Sequence, residues 1–138
     1  MQVQPYLFFN GRCQEAADFY VKAIGAKIEF SMRYRDAPSP PQEGALPPHW
    51  SDKIMHMALR IGDSRVQISD GNTATPRFSG FRLTLIVPDV AAAEQAFAAL
   101  SEEGSVDVPL SASFFAASFG MLTDRFGVGW QIMATQKP

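Results

Sequence analysis

Two similar runs, Arg65-Val66-Gln67-Ile68-Ser69 and Gly129-Trp130-Gln131-Ile132-Met133, end the two halves of this 138-residue chain. Each run follows an apolar helix-like stretch and a turn, and each has a glutamine between apolar residues. Similar segments at corresponding points of two halves indicate an internal repeat. The two runs therefore predict that the chain contains two copies of one structural unit.

The length and composition predict one globular domain, residues 1–138, with a first module at about 1–72 and a second at about 78–138. The net charge of −2 offers no basic surface for nucleic acid and no cationic face for a membrane. The one cysteine, Cys13, excludes an internal disulfide and a multi-cysteine zinc site. Because the sequence shows neither a secretory signal pattern nor a long apolar run, we expect a cytoplasmic protein.

Hydrophobic periodicity predicts the order βαβββ in the first half. Asn10-Gly11 separates the first strand from a segment with apolar residues at helical spacing, and Gly25 is a C-terminal stop for that helix. The predicted elements are a strand at Val3–Phe9, a helix at Arg12–Ile24, and strands at Lys27–Tyr34, Ile54–Ile61 and Arg65–Ser69.

The second half repeats the same order. Pro88-Asp89 resembles a helix entry, Gly104 follows the predicted helix as its stop, and Pro109 predicts an edge strand or a bulge. The predicted elements are a strand at Phe81–Val87, a helix at Val90–Glu103, and strands at Val106–Leu110, Phe115–Thr123 and Val128–Ala134.

A proline-rich segment, Asp36–Asp52, interrupts the first half with five prolines and Gly44. Regular structure is not expected there, and a loop this long in a compact domain is often functional or mobile. An insertion at a sheet edge, a lid over a site and a dimer contact are three interpretations that the sequence leaves open.

Strand alternation places a mixed set of polar and aromatic side chains on the faces that point away from the helices. Such a lining is typical of a small-molecule site, so we expect the sheet to curve around a cavity. The candidate ligand-binding residues are Tyr6, Phe8, His56, Gln67, Arg82, Thr84 and Gln131.

The chain resembles the vicinal oxygen chelate superfamily, which includes glyoxalase I, extradiol dioxygenases and bleomycin-resistance proteins. The resemblance is carried by the paired βαβββ order, by Asp18-Phe19-Tyr20, and by Asp124-Arg125-Phe126-Gly127-Val128-Gly129-Trp130-Gln131-Ile132. Pro5-Tyr6-Leu7-Phe8-Phe9-Asn10-Gly11 and Ile61-Gly62-Asp63-Ser64 resemble its PhnB-like branch, labelled 3-demethylubiquinone 3-methyltransferase-like. The resemblance implies an α+β fold of two tandem βαβββ modules that form a curved mixed sheet around a cavity, glyoxalase/bleomycin resistance-like.

The resemblance also implies where metal-using relatives hold their ion. The corresponding positions here are Tyr6 (or Pro5), Gln67, Arg82 and Gln131. None of these residues offers an imidazole or a carboxylate, which divalent metals prefer, and an arginine places a positive charge at the site. We therefore expect no metal. We expect no S-adenosylmethionine either, because the chain lacks the glycine-rich turn of a doubly wound domain.

Several candidate residues have two interpretations. Gln67 and Gln131 are either donors and acceptors for a polar ligand or hydrogen-bond partners for each other and for buried water. Arg82 is either a receptor for a carboxylate or phosphate or an exposed residue at a strand start. His56 is either a general base or a hydrogen-bonded structural residue.

The leading hypothesis is a metal-independent small-molecule-binding protein without cofactors, which forms a homodimer as many relatives do. One alternative is an enzyme, an isomerase, lyase or oxygenase, that acts on a small polar metabolite through His56 or Arg82. The other is a protein that sequesters an antibiotic. The sequence names neither the ligand nor a reaction.

Overall fold

The computed structural model describes residues 1–38, 49–71 and 77–135 of the chain. Its contacts divide the chain into two compact units, Met1–Pro76 and Arg77–Pro138. The first unit contains β1 (Tyr6–Phe8), α1 (Cys13–Ile24), β2 (Lys27–Arg33), β3 (Ile54–Ile61) and β4 (Ser64–Ser69). The second contains β5 (Leu83–Val87), α2 (Val90–Ser101), β6 (Ser105–Ser111), β7 (Ser118–Thr123) and β8 (Gly129–Ala134).

Each unit is one βαβββ module with its own four-stranded mixed sheet. The strand order is β1-β4-β3-β2 in the first module and β5-β8-β7-β6 in the second. In both modules the first strand pairs in parallel with the last strand, and the other pairs are antiparallel. The predicted α+β fold with two tandem βαβββ modules is confirmed. No helix among the described residues is long and apolar enough to span a bilayer.

Alternating burial fixes which side of each sheet packs on its helix. In the first module, Met57, Leu59 and Ile68 are almost completely buried with Cys13 and Tyr20 of α1. In the second, Leu122 and Ile132 are buried with Leu100 of α2. Burial of this apolar surface is the main force that holds each helix on its sheet. The opposite side of each sheet is therefore the side that can carry a site.

A buried carboxylate connects the start of α1 and the start of β3 in the first module. Asp70 follows β4 and is 1% exposed. Its Oδ1 atom accepts hydrogen bonds from the amides of Gly11 (2.7 Å) and Cys13 (2.8 Å), and its Oδ2 atom accepts one from Ile54 (2.7 Å). The side chain of Arg12, the N-cap residue of α1, makes no capping bond, so Asp70 supplies the acceptor that the helix start requires.

The second module also has a buried carboxylate that accepts several hydrogen bonds, in the turn before β8. Asp124 is 3% exposed, and its carboxylate accepts bonds from the amides of Phe126 and Val128 and from Trp130 Nε1 at 2.9–3.1 Å. The sequence motif that begins with Asp124 therefore has a structural role as a turn.

Several predicted element bounds are wrong, most clearly at the starts of two strands. The strand predicted from Val3 begins at Tyr6. The strand predicted from Phe115 begins at Ser118, because the Ser113 hydroxyl accepts a hydrogen bond from the amide of Ala116 and forms a turn. The prediction that Asp36–Asp52 lacks regular structure is incomplete, since 3₁₀ turns occupy its ends; residues 39–48 of this loop lie outside the described part.

The end of α2 also differs from the prediction. The helix stops at Ser101, and Glu103, not Gly104, takes the left-handed conformation (φ 61°). Gly104 is required for a different reason, because a Cβ atom there would lie 2.2 Å from the carbonyl oxygen of Thr123. By contrast, Gly25 ends α1 in the left-handed conformation as predicted. The prediction for Pro109 is confirmed, since β6 is an edge strand with register shifts on both sides of Val108.

Candidate functional site

Aromatic side chains gather on the open face of the first module, defined as the side of its sheet opposite α1. The ring of His56 lies 5.7 Å from the ring centroids of both Tyr6 and Phe30, and Phe8 lies 5.0 Å from Tyr6. Tyr6, Phe8 and Phe30 are 39%, 44% and 47% exposed. The Tyr6 hydroxyl is 3.2 Å from His56 Nδ1, so the two side chains share a hydrogen bond whose direction depends on the imidazole tautomer.

The strand register places an amide and a small side chain beside these rings. Tyr6 on β1 is opposite Gln67 on β4, which is opposite Ala58 on β3, which is opposite Phe30 on β2. Gln67 Nε2 donates to Gln4 Oε1 at 3.1 Å. Because Ala58 has no side chain beyond Cβ, the surface of the sheet is lower at Ala58 than at its neighbours Gln67 and Phe30.

A charged group lies along the same face. The Nε atoms of Arg60 and Arg65 donate to the two carboxylate oxygens of Glu29, both at 3.1 Å. The hydrogen bond from Arg65, with further help from Arg60, lowers the pKa of Glu29 below its ordinary value. The two arginine side chains are 40% and 42% exposed, so they remain accessible from solvent.

The second module has a cleft of about 550 Å³ on the corresponding side of its sheet. Phe78, Phe81, Arg82, Thr123 and Gln131 contribute side chains to its lining. Gln131 Oε1 accepts a hydrogen bond from the Thr84 hydroxyl at 3.0 Å, and the two residues are opposite each other in the β5–β8 pair.

Interactions within the second module hold Arg82 in place. Its Nη1 atom donates to the carbonyls of Leu122 (2.9 Å) and Trp130 (3.4 Å), and its Nη2 atom lies 3.1 Å from Asp107 Oδ2. The hydrogen bond from Thr123, followed by that from Arg82, lowers the pKa of Asp107. Because Asp107 compensates the guanidinium charge, Arg82 is a weaker anion receptor than its sequence position suggested, and it is not a free exposed arginine either.

The predicted site residues thus form two groups, one in each module. Tyr6, Phe8, His56 and Gln67 share the open face of the first module, and Arg82, Thr84 and Gln131 border the cleft side of the second. Sequence reasoning missed Phe30, Glu29 and Asp107 as members of these groups. Alternation along the strand that contains Phe30 could have placed Phe30 on this face. The position of Glu29 could not be predicted in this way, because the bulge between Ile28 and Phe30 interrupts the alternation.

Cys13 is not part of either group. It is completely buried under the first sheet. Burial raises the pKa of its thiol, and the neighbouring charge of Asp70 raises it further. Both effects disfavour the reactive thiolate, so Cys13 is an unreactive core residue.

Sequence and structure comparisons connect these observations to known proteins. Residues 1–133 match the family model described as 3-demethylubiquinone-9 3-methyltransferase. The chain belongs to this family. It is 30% identical to Protein YjdN of Escherichia coli (strain K12), over all of this chain and 99% of that protein. It is 42% identical to protein PA1353 from Pseudomonas aeruginosa, with a TM-score of 0.85 and 99% of each chain covered.

More distant structures show the fold alone. A putative 3-demethylubiquinone-9 3-methyltransferase, PhnB protein, from Bacillus cereus is 21% identical, with a TM-score of 0.79 over 98% of this chain and all of the other. A glyoxylase/bleomycin resistance protein/dioxygenase domain from Frankia sp. EAN1pec is 10% identical, with a TM-score of 0.66 over 99% and 93% of the two chains. The chain therefore has the glyoxalase/bleomycin-resistance fold.

The name of the family implies a methyl donor, but the described residues do not fit S-adenosylmethionine. Both sheets are mixed and four-stranded, so neither provides the doubly wound parallel sheet on which a glycine-rich turn holds such a cofactor. The amides at the start of α1 are already bonded to Asp70, and Asp89 accepts a bond from Ala92 at the start of α2. These residues offer no site for a methyl donor of this kind.

The residues at the metal positions of the superfamily do not fit a divalent ion either. In the first module the pair is Tyr6 and Gln67. In the second module the register places Thr84, and not Arg82, opposite Gln131. A phenol, a hydroxyl and two amides are poor ligands for the metals that imidazole and carboxylate bind. Residues 1–38, 49–71 and 77–135 contain no group of three His, Cys, Asp or Glu side chains placed to hold an ion.

Proposed function

We propose that this chain is a small-molecule-binding protein that works without a bound metal ion. The observation that supports it most is the open face of the first module, where Tyr6, Phe8 and Phe30 expose their rings beside His56 and Gln67. A monomeric surface seldom exposes several large aromatic side chains together unless they contact something. Rings that supply contact area and a few polar groups that supply direction are the ordinary composition of a ligand site.

The hydrogen bonds on this face favour a polar ligand over a purely apolar one. The Tyr6 hydroxyl and the neutral His56 imidazole each carry a donor and an acceptor. Beyond the hydrogen bond between them, the pair can therefore either donate to a ligand or accept from it. Gln67 adds an amide whose Nε2 atom is bonded to Gln4. An amide oriented by a neighbouring side chain loses little rotamer entropy when a ligand binds.

Native mass spectrometry and elemental analysis of the purified protein test the two parts of this proposal. We expect a co-purified small molecule or a ligand-dependent mass shift, and metal well below one ion per chain. Stoichiometric zinc, nickel, manganese or iron that is lost in a Gln67→Leu, Gln131→Leu double variant would contradict metal independence. A Gln14→Leu variant is the control, because Gln14 is a half-buried residue of α1 whose side-chain amide donates to Asp18, away from both glutamines under test.

Histidine NMR offers a second readout on the same site. The chain has only two histidines, His49 and His56, so a His56→Gln variant assigns both imidazole signals. A ligand on the open face should move the His56 signals and leave those of His49 in place. Equal movement of both signals would argue against this location.

The Tyr6–His56 hydrogen bond also favours a second candidate, an enzyme that moves a proton with this pair. A tyrosine next to a histidine is a common arrangement for proton transfer. Incubation of the protein with its co-purified ligand, followed by mass analysis, would detect turnover. Turnover that is unchanged in a His56→Ala variant would remove histidine from such a mechanism.

The homodimer and the cytoplasmic location stay predictions. Sedimentation velocity across a concentration series measures the assembly directly, and fractionation of cells measures the location.

A further inference from the structure

The open face of the first module has two chemically different ends. Along β3, His56, Ala58 and Arg60 project to this face at every second position. The His56 end carries the rings of Tyr6 and Phe30, each 5.7 Å from the imidazole. The other end carries arginine side chains, and Ala58 lies between the two ends.

The arginine end has an excess of positive charge. Lys27, Arg60 and Arg65 occupy adjacent strands in register, and Glu29 is the one carboxylate bonded to this group. Glu29 accepts a hydrogen bond from the Nε atom of each arginine, and in the part of the chain that the structure describes the Nη groups of these arginines donate to no other protein group. Guanidinium Nη groups in pairs are well suited to the oxygens of a carboxylate, sulfonate or phosphate.

The distance between the two ends suits a small ligand. Arg60 is four positions after His56 on β3, which corresponds to roughly 13 Å between their Cα atoms. The low centre at Ala58 is bordered by Phe30 on one neighbouring strand and Gln67 on the other. A flat molecule can lie across Ala58 with its ring against the aromatic end and its charged group at the arginine end.

We propose that this face binds a small planar aromatic anion, with the ring against Tyr6, His56 and Phe30 and the anionic group at Arg60 and Arg65. The inference rests on the proposed function, because it names the class of ligand for the same site. It differs from the proposed function in one respect: it requires a negative charge on the ligand.

Calorimetric titration with 2-naphthoate and its uncharged analogue 2-naphthamide tests this requirement. We expect naphthoate to bind more tightly than naphthamide to the natural protein. An Arg60→Gln, Arg65→Gln double variant should weaken naphthoate binding about tenfold and leave naphthamide binding unchanged. Arg12→Gln is the control for the loss of a positive charge elsewhere on the molecule, since Arg12 pairs with Glu15 on α1. This substitution should change naphthoate binding less than about twofold.

A gain of affinity provides a sharper test than a loss. Glu29→Gln removes the carboxylate that competes for both arginines, so naphthoate should bind about threefold more tightly. Ala58→Leu fills the centre of the face and should weaken both probes, whereas Phe30→Leu removes ring contact and should weaken both by a smaller factor.

Three outcomes would overturn the inference. The first is that naphthoate does not bind the natural protein. The second is that the two probes bind equally tightly. The third is that substitution of Arg60, Arg65 and Glu29 leaves naphthoate binding unchanged. If Ala58→Leu weakens both probes while the charge variants change nothing, the proposed function stands and the anionic class is wrong. Dissociation of a dimer by Ala58→Leu, with unchanged binding of both probes, would show that a second copy covers this face.

Discussion

Replacement of Asp70 by asparagine should destabilise the first module far more than a change of one atom suggests. The carboxylate is 1% exposed and accepts three backbone hydrogen bonds at 2.7–2.8 Å, two through Oδ1 and one through Oδ2. An asparagine can keep its oxygen toward Gly11 and Cys13. Its NH₂ group then meets the amide of Ile54, so two buried donors face each other.

The magnitude follows from these contacts. Loss of one hydrogen bond to a charged group costs about 1.5–3 kcal/mol, and an unsatisfied buried donor adds about 1–3 kcal/mol. Because the two terms overlap, we expect Asp70→Asn to lower the free energy of unfolding by about 3 kcal/mol. For a chain of this size that corresponds to a fall in Tm of roughly 10 °C.

Urea unfolding followed by circular dichroism measures the effect, with calorimetry as a second method. Asp89→Asn is the matched control, because Asp89 caps α2 through one exposed bond to Ala92 and asparagine caps helices equally well. The control should change the free energy of unfolding by less than about 0.5 kcal/mol. An Asp70→Asn protein within about 1 kcal/mol of the natural one would refute this account of the carboxylate.

Three further predictions concern packing, reactivity and pH. Gly104→Ala should cost about 3 kcal/mol or more in urea unfolding because its Cβ would lie 2.2 Å from the Thr123 oxygen, whereas Gly25→Ala, which meets no atom within 4 Å, should cost only about 1 kcal/mol for its positive φ. Cys13 should resist iodoacetamide in the folded protein and react after urea is added, since burial raises the pKa of its thiol; fast labelling of the native state would contradict this. The lowered pKa of Glu29 means that its ion pairs stabilise the fold above the ordinary glutamate value of 4.5 and stop doing so as the pH falls through the lowered value. The difference in unfolding free energy between Glu29→Gln and the natural protein should therefore shrink on acidification, and a difference that grows would have the wrong sign.

Much of the fold followed from local patterns in the sequence. The alternation around Gln67 and Gln131 predicted which side chains face the helices, and buried Ile68 and Ile132 confirm it. The elements themselves were predicted in the correct order and number. Periodicity works well here because each strand is apolar on one side only.

The parts that were missed depend on contacts between distant positions. Asp70-Gly71 has the composition of an ordinary turn, and nothing local shows that the carboxylate caps a helix 57 residues earlier. Gly104 looked like a helix stop, but its role depends on the backbone of Thr123. Such close approaches are set by packing, which local propensity does not encode.

For the candidate site, too, the sequence predicted the faces on which residues lie but not the contacts between them. The faces of Tyr6 and His56 were correct, because alternation determines them. That the tyrosine hydroxyl reaches the imidazole depends on the register across three strands. Arg82 was identified, but its partner Asp107 was not, because register shifts in β6 break the alternation on which the prediction depended.

The closed pairing within each module has a consequence for biosynthesis. Among the described residues, every strand pair joins strands of the same module. The partner of β1 is β4, so the first sheet is complete only after β4 has been synthesised. Once the ribosome has released residues through Asp70, the nascent chain holds every strand of its first sheet and the acid that caps α1. The first sheet can therefore complete its strand pairing while the second module is still being translated.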